Sequence, residues 1–382
     1  MKITIVGAGI SGLCCAIFLK DAGFDPVIIE RNSELRSFGA GLQLGPNATA
    51  ILDRYGFKPT LAELASFPDS INFHDLRIGK RLLKISTNNY EKTYGSKYCY
   101  LMREDLIKML YNKCQQLGVD IKFNYELQSI DLNEKGYLLK TNQGKLETQK
   151  LIGADGVHSI ARKSLTNQHI RFVKKVAWRG TAPLDRVDDI FFADVNVWLG
   201  RKMHAVFYQI PKQNLLNFII VTSHTSSEAF KSTYSNGYEV DQLLESFNLY
   251  PKIQQALKVS RNLYKWKIET LPNTYQFSSK DFALIGDAAH PILPFMAQGA
   301  SLGIEDAYLL ALNLGKGAED FSNFYKQRQT KVKRVSYYSK TSGQIYHLPF
   351  VFRYLALKLN AFMPFFLSRR LAYTFRNILE DE

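Results

Sequence analysis

The 382 residues carry 49 Lys and Arg against 35 Asp and Glu, a formal net charge of +14. With 46% hydrophobic and 22% charged residues, this is the composition of a folded globular chain long enough for two interleaved domains, and disorder is excluded as the default. The positive excess favours anionic partners, but the basic residues are dispersed and accompany no zinc-finger, homeodomain or RNP-type pattern; this argues against nucleic acid and leaves an anionic dinucleotide, an aryl carboxylate or a membrane surface.

The chain opens on a β-branched run, Lys2 to Val6, then Gly7-Ala8-Gly9-Ile10-Ser11-Gly12, a stretch of helical composition from Ser11 to Ala22, and a short apolar strand from Pro26 to Glu30. A secretory signal would not be interrupted by three glycines, so a βαβ unit is the better reading. In such a unit glycines let the backbone turn tightly and approach a pyrophosphate at the helix N-terminus, and a carboxylate at the end of the second strand can hold a ribose diol. Gly7, Gly9, Gly12 and Glu30, with Arg31 beside it, are therefore candidate dinucleotide-binding residues.

Further along, Arg103 to Leu117 reads as an amphipathic helix and Val119 to Phe123 as a strand. Leu127 to Leu132, Tyr137 to Thr141 and Glu147 to Ile152 read as a meander ending in the turn Gly153-Ala154-Asp155-Gly156. From Phe172 to Thr222 the strands become longer and richer in aromatic and β-branched residues, with turns at Pro183, Gly200 and Pro211 to Asn214, which predicts a separate antiparallel sheet. Helices are predicted over Val240 to Leu257 and Gly299 to Leu312, a strand over Asp281 to Ile285, and helical structure from Phe321 onward, broken at Pro349 and Pro364. The four cysteines, Cys14, Cys15, Cys99 and Cys114, have neither CxxC spacing nor the density of a disulfide scaffold, as expected of free thiols in a reducing cytoplasm. There is no metal-ligand cluster and no apolar run long enough to span a membrane.

Three motifs together resemble one family, the group A flavoprotein monooxygenases, especially the salicylate hydroxylase and hydroxybenzoate hydroxylase branch. They are the opening glycine motif with Glu30, the Asp-Gly turn Gly153-Ala154-Asp155-Gly156-Val157-His158-Ser159 with Arg162 beyond it, and Ala283-Leu284-Ile285-Gly286-Asp287-Ala288-Ala289-His290-Pro291 with Pro294, Gln298, Gly299, Glu305 and Asp306. The resemblance implies an α/β fold in which a Rossmann-like FAD-binding domain (1–72, 100–170 and 280–340) interleaves with an antiparallel substrate domain (73–99 and 171–279), followed by C-terminal helices (341–382). It implies FAD as cofactor, held by Gly7, Gly9, Gly12, Glu30, Arg103, Asp155 and Asp287, with Gly41, Leu42, Pro294, Gly299 and Ala300 near the flavin ring. Asp155 would lie near the pyrophosphate and the path of NAD(P)H, although an Asp-Gly turn followed by Ser can also be simply a helix start with its cap. The helix from Gly299 would point its N-terminus at the flavin, where its partial positive charge favours the reduced anion. His290 reads as a structural neighbour of the cofactor, and Ala297 departs from the family, many of whose members have glycine there.

The implied reaction is hydroxylation of a small aromatic molecule, with NAD(P)H reducing FAD and dioxygen adding at flavin C4a. Alternation along the strand through His204, Phe207, Tyr208 and Gln209 places His204 and Tyr208 on one face. The resemblance implies His204 as general base and Gln298 as a polar partner of the substrate; a histidine covering a sheet edge is the plainer alternative. Arg179 and Arg201 could each receive an aryl carboxylate or be solvated turn residues. An antibiotic-inactivating or polyketide- or quinone-tailoring monooxygenase, or a flavin-fold binding protein without catalysis, would share the same motifs. The aromatic, basic run from Leu348 to Ile378, with Phe350, Phe352, Tyr354, Phe362, Phe365, Phe366, Arg369 and Arg370, suits packing on the substrate domain better than an anionic membrane surface. A monomer and a homodimer both remain open.

Overall fold

A computed structural model describes residues 1–35, 40–134, 136–192, 194–223, 233–234, 241, 244–245, 247–271, 276–362 and 364–381. In chain order the first half comprises β1 (Ile3–Val6), α1 (Ile10–Asp21), β2 (Pro26–Ile29), β3 (Gly41–Leu44), α2 (Pro46–Arg54), α3 (Lys58–Leu64), β4 (Ser70–Asp75), β5 (Arg81–Ser86), α4 (Tyr90–Tyr94), β6 (Cys99–Met102), α5 (Arg103–Gln116), β7 (Asp120–Lys122), β8 (Leu127–Asn133), β9 (Gly136–Thr141), β10 (Gly144–Thr148) and β11 (Lys150–Gly153). There follow α6 (Ile160–Thr166), β12 (Arg171–Pro183), β13 (Val195–Gly200), β14 (Met203–Ile210), β15 (Leu215–Ser223), β16 (Thr233–Tyr234), α7 (Pro251–Lys258), β17 (Arg261–Thr270), β18 (Phe282–Leu284), α8 (Gly299–Gly315), α9 (Phe324–Tyr346), α10 (Phe350–Phe362) and α11 (Pro364–Phe375).

Strands β18-β11-β1-β2-β7 form a parallel sheet with β1 near its centre. Each residue of β1 is buried, as expected of a parallel strand covered on both faces. Helix α1 packs on α8 and α5, and Leu13, Cys14, Ala16, Ile17, Phe18 and Leu19 are all buried in that core. The four cysteines are buried free thiols. The meander needs one correction. The run from Glu147 to Ile152 is not one strand: β10 closes the small antiparallel sheet at Thr148, and β11 starts at Lys150 in the parallel sheet. Thr148 Oγ1 donates to the carbonyls of Lys2 and Lys150 at 3.1 and 2.9 Å, fixing the crossing between sheets.

The second sheet, β16-β17-β12-β15-β14-β13-β4-β5, is mixed and not purely antiparallel, because β13 pairs parallel with β4. Its alternation sorts side chains as expected. Phe207 joins Trp178, Phe218 and Ile253 of α7 on the outer face, whereas Tyr208 joins Tyr100 and Val197 on the inner one. Of the helices predicted over 240–257, Asp241, Leu244 and Glu245 are helical, and α7 begins separately at Pro251, where a proline that lacks an N–H is suited to the first turn. Residues 240, 242, 243 and 246 of the predicted segment lie outside those described.

The C-terminal run divides at the predicted prolines. Phe350, Tyr354 and Leu357 of α10 pack against Phe73 and Leu82, and Arg353 meets Asp75 at 2.5 Å, so α10 closes one end of the mixed sheet. Phe375 packs on Tyr90 and Tyr98. Phe352 remains exposed; the side chains of Phe362, Phe365 and Phe366 lie outside the described residues. No helix among the described residues is long and apolar enough to cross a membrane.

Candidate active site

The opening glycines have three different jobs. Gly7 adopts φ +102°, where only glycine is unstrained, and a Cβ there would lie 2.7 Å from the Ala154 carbonyl oxygen. At Gly12 a Cβ would come within 2.0 Å of the Gly7 carbonyl oxygen, so this position sets how closely α1 approaches the sheet. At Gly9 a Cβ would meet nothing within 4 Å. Gly9 also caps α1 without any side-chain hydrogen bond, so the free N–H groups of the first turn face open space. Glu30 stands beside this turn: its Oε2 accepts from Ala8 N–H at 2.9 Å and its Oε1 from Asn32 N–H at 2.9 Å. Arg31 next to it is exposed.

Asp155 lies against Gly7, but its carboxylate is engaged locally. It accepts from Ile160 and Ala161 N–H at 2.7 and 3.1 Å and from Ser159 Oγ at 2.5 Å. Of the two sequence readings, the carboxylate therefore does what a helix cap does. Arg162, two turns on, ties this motif to the next: Nη1 donates to the Asp287 and Ala288 carbonyls at 3.2 and 3.0 Å, and Nη2 to Val157 at 2.5 Å.

Asp287 retains solvent-accessible surface although protein surrounds it, as a side chain on the wall of an enclosed cleft would. Burial raises its carboxyl pKa, while His290, Arg103, Arg179 and Arg162 oppose that rise. Arg103 starts α5, donates its N–H to the Ala40 carbonyl at 3.0 Å, and has a buried Nε without a partner. Helix α8 starts at Gly299, uncapped, with the Asp287 carboxylate 3.9 Å from where a Gly299 Cβ would be. Before it, Pro294–Met296 forms one turn of 3-10 helix and Ala297 sits at φ +52°. That is the left-handed region, costing a non-glycine about 1 kcal/mol, so the departure from glycine is a strained one. Pro294, Gly299 and Ala300 are part-exposed on this edge.

Gln298 is 1% exposed. Its Oε1 accepts from Asn47 Nδ2 at 3.3 Å, and its Nε2 has no partner. The first turn of α8 thus carries an unused side-chain donor in addition to its free N–H groups. Behind it, Asn47 donates to Glu305 at 2.7 Å, and Arg328 of α9 meets Glu305 at 2.9 Å and Asp306 at 2.6 Å. His290 closes the network at 2.6 Å from Asp306 Oδ2, which also accepts from Gly286 N–H at 2.8 Å. Burial opposes ionisation of Asp306, yet His290 and Arg328 hold its pKa down to about 2. His290 is thus structural, as the sequence suggested.

Over this wall lies the inner face of the mixed sheet. Arg179, Ile219 and Val206 share one cross-strand row, and Ala177, Val221 and His204 the next. Tyr208 and Asn217 share a third, which touches β3: Asn217 Oδ1 accepts Gly41 N–H at 2.7 Å, and a Cβ at Gly41 would strike Tyr208 at 2.7 Å. Leu42 is half-buried on the same strand, while Gly39 lies outside the described residues. Arg179 stacks over Trp266 at 4.6 Å, and burial, with Arg103 nearby, lowers its pKa to about 10. Arg201, its alternative from the sequence, is exposed in a turn. His204 is 2% exposed, with its ring 5.1 Å from that of Phe295 and its Nδ1 3.0 Å from His347 Nε2. Burial and the neighbouring His347 push its pKa well below the usual value, so the ring is neutral.

An open, uncapped glycine turn, a partnerless arginine Nε and a second uncapped helix beside an accessible aspartate make a cradle for an extended anionic nucleotide with a polar ring at one end. A family model described as an FAD binding domain matches residues 1–323. The chain belongs to that family. Among relatives of this FAD-binding-domain protein, 3-amino-4-hydroxybenzoate 2-monooxygenase of Streptomyces platensis is 28% identical over 91% of this chain and 89% of its own length. The 3-hydroxybenzoate 6-hydroxylase of Polaromonas naphthalenivorans is 27% identical over 91% of this chain and 88% of its own length. The fold is also that of Klebsiella pneumoniae HpxO complexed with FAD and uric acid, at TM-score 0.83 and 19% identity over 98% of this chain and 97% of that one. A salicylate hydroxylase substrate complex matches with TM-score 0.79 and 20% identity over 98% of each chain. The protein is an FAD-dependent monooxygenase.

Arg179 was a candidate from the sequence; Asn217, Lys175 and His347 complete the picture in ways the sequence did not single out. Only strand alternation could have pointed to Asn217; nothing local marks Lys175 or His347 as partners of His204.

Proposed function

We propose that the protein hydroxylates a small phenolic acid bound between the inner face of the mixed sheet and the turn Pro294–Gln298. The observation that carries this reading is the accessible Asp287, flanked by Arg103 and by the uncapped start of α8, directly under a sheet face bearing Arg179, Tyr208 and His204. When bound, FAD reduced by NAD(P)H supplies the activation of dioxygen and its transfer to the substrate ring. Gly7, Gly9 and Gly12 admit the pyrophosphate; Glu30 and Arg31 flank the adenosine end; Arg103, Asp155 and Asp287 line the phosphate and ribityl side. Gly41, Leu42, Pro294, Gly299 and Ala300 border the ring, and the dipole of α8 with Gln298 Nε2 favours negative charge there.

Arg179 is the cation placed to receive the substrate carboxylate, and its stacking on Trp266 fixes the plane of the fork. His204 takes the phenolic proton. Its Nδ1 is engaged by His347, so Nε2 is the atom left for the substrate, and a neutral ring can accept. Tyr208 lies on the same inner sheet face, packed against Tyr100. Burial raises its pKa, so it remains a neutral hydrogen-bonding group. Residues 1–72, 100–170 and 280–340 form the cofactor part and 73–99 with 171–279 the substrate part, a division whose first boundary falls within β4 (Ser70–Asp75). Residues 341–382 close over both.

The test is a panel of salicylate, 3-hydroxybenzoate and 3-amino-4-hydroxybenzoate with the FAD-loaded protein. At least one should accelerate NAD(P)H oxidation and yield a product heavier by one oxygen atom. Oxidation that no panel member accelerates, with hydrogen peroxide as the sole oxygen product, would overturn the reading.

A further inference from the structure

The histidine assigned as base does not stand alone. Lys175 Nζ on β12 lies 2.9 Å from His347 Nδ1 at the end of α9, and His347 Nε2 lies 3.0 Å from His204 Nδ1 on β14. The groups packed around them from other elements are Ser223 on β15, 3.4 Å from Lys175, the rings of Phe295 and Tyr346, and Arg353 on α10, which acts on His347 through its charge. None of these described groups is a carboxylate. A salt bridge therefore does not explain why a lysine points inward here, nor does packing explain two imidazoles in series.

We propose that His204, His347 and Lys175 form a linear proton relay that moves the charge of the substrate's phenolic proton from the substrate side to half-exposed Lys175 on β12, with His347 and Lys175 as positioning residues acting through His204. The proposal rests on His204 facing the substrate, as assigned above. In the receptive state Lys175 is a neutral amine and both rings carry their proton on Nδ1, each donating outward. The phenol O–H bond breaks as its proton joins His204 Nε2. The His204 Nδ1 proton passes to His347 Nε2, and the His347 Nδ1 proton passes to the Lys175 amine. The products are phenolate, two neutral rings protonated on Nε2, and an ammonium. No electrons change hands. After oxygen transfer the three steps run backward: the half-exposed Lys175 ammonium returns its proton to His347 Nδ1, His347 Nε2 to His204 Nδ1, and His204 Nε2 to the product phenolate, which restores the Nδ1 tautomers and the neutral amine.

Burial supports this division of labour. It lowers His347 to about 3 and His204 well below its ordinary value, so each ring can pass a proton without keeping a charge, and it lowers Lys175 so that the amine can be reached.

Lys175→Arg separates relay from scaffold. Arginine keeps the charge and the donor to His347, but it does not give up its proton. With the panel member hydroxylated by the wild type, we expect Lys175→Arg, Lys175→Met and His347→Gln to keep their FAD yet lose roughly 10- to 100-fold in hydroxylation at pH 7. Activity should recover toward pH 10, where a phenol ionises unaided. A Lys175→Arg protein with wild-type turnover and pH profile would overturn the relay. A second measurement needs no substrate: in the FAD-loaded protein labelled with 15N-histidine, Lys175→Met should change the ring-nitrogen signals of both His347 and His204. An unchanged His204 signal would contradict the relay. If the wild type hydroxylates nothing in the panel, the functional reading fails while this spectrum still decides the wiring.

Discussion

Under the proposed function His204 and Asp287 carry opposite expectations, because one is assigned to the substrate side and the other to the cofactor side. Replacing His204 by Ala removes a neutral imidazole that touches Phe295 and His347, so FAD content should be unchanged while hydroxylation slows by about 100-fold, the usual contribution of a general base. Turnover that equals wild type across neutral pH would remove His204 from the chemistry. Asp287→Ala should instead yield protein that does not retain FAD on gel filtration, and retention of flavin there would count against the cradle. His347 also contributes to acid sensitivity. Its folded-state pKa lies below that of an unfolded histidine, so between about pH 6.5 and 3 the unfolded chain binds the extra proton. Stability is therefore full above that window and falls as pH drops through it. Urea titrations at pH 7 and 5 should show a smaller loss for His347→Gln than for wild type.

At the scale of elements, the site depends on how α1 and α8 are held. Gly12→Ala would push a methyl into the Gly7 carbonyl oxygen 2.0 Å away, and because both atoms belong to main chain or to a packed helix neither can yield cheaply. Loss of FAD together with a lowered melting temperature is the expected outcome; a stable yellow Gly12→Ala protein would show that the α1 approach is not limiting. The register of α8 is fixed from behind by Arg328, which is 1% exposed and bridges Glu305 and Asp306. Arg328→Met strands two buried carboxylates and should cost about 3–5 kcal/mol in chemical denaturation. A cost under about 1 kcal/mol would mean that the network is not what sets the helix.

At the scale of the molecule, what could be read in the sequence was what is local. Gly7, Gly9 and Gly12 declare themselves because turn, approach and packing are needed within a few residues of one another. Asp287 and His290 were legible as a block for the same reason. Strand alternation separated Tyr208 from Phe207, and that separation holds in the mixed sheet. The remainder was hidden because it is made by distant pairs. Lys175 and His347 are 172 residues apart, and Gly41 and Asn217 are 176 apart. The parallel pairing of β13 with β4 had no sequence signal, since alternation is the same in either direction. Asp155 could be read two ways, and only the hydrogen bonds to Ile160 and Ala161 show its carboxylate capping α6. Flavin stoichiometry tests most directly the convergence of these separated turns on one nucleotide. Protein reconstituted with FAD and freed of excess should be yellow, hold the flavin stoichiometrically, and bleach on addition of NAD(P)H. Protein that stays colourless under the same treatment would contradict the convergence itself.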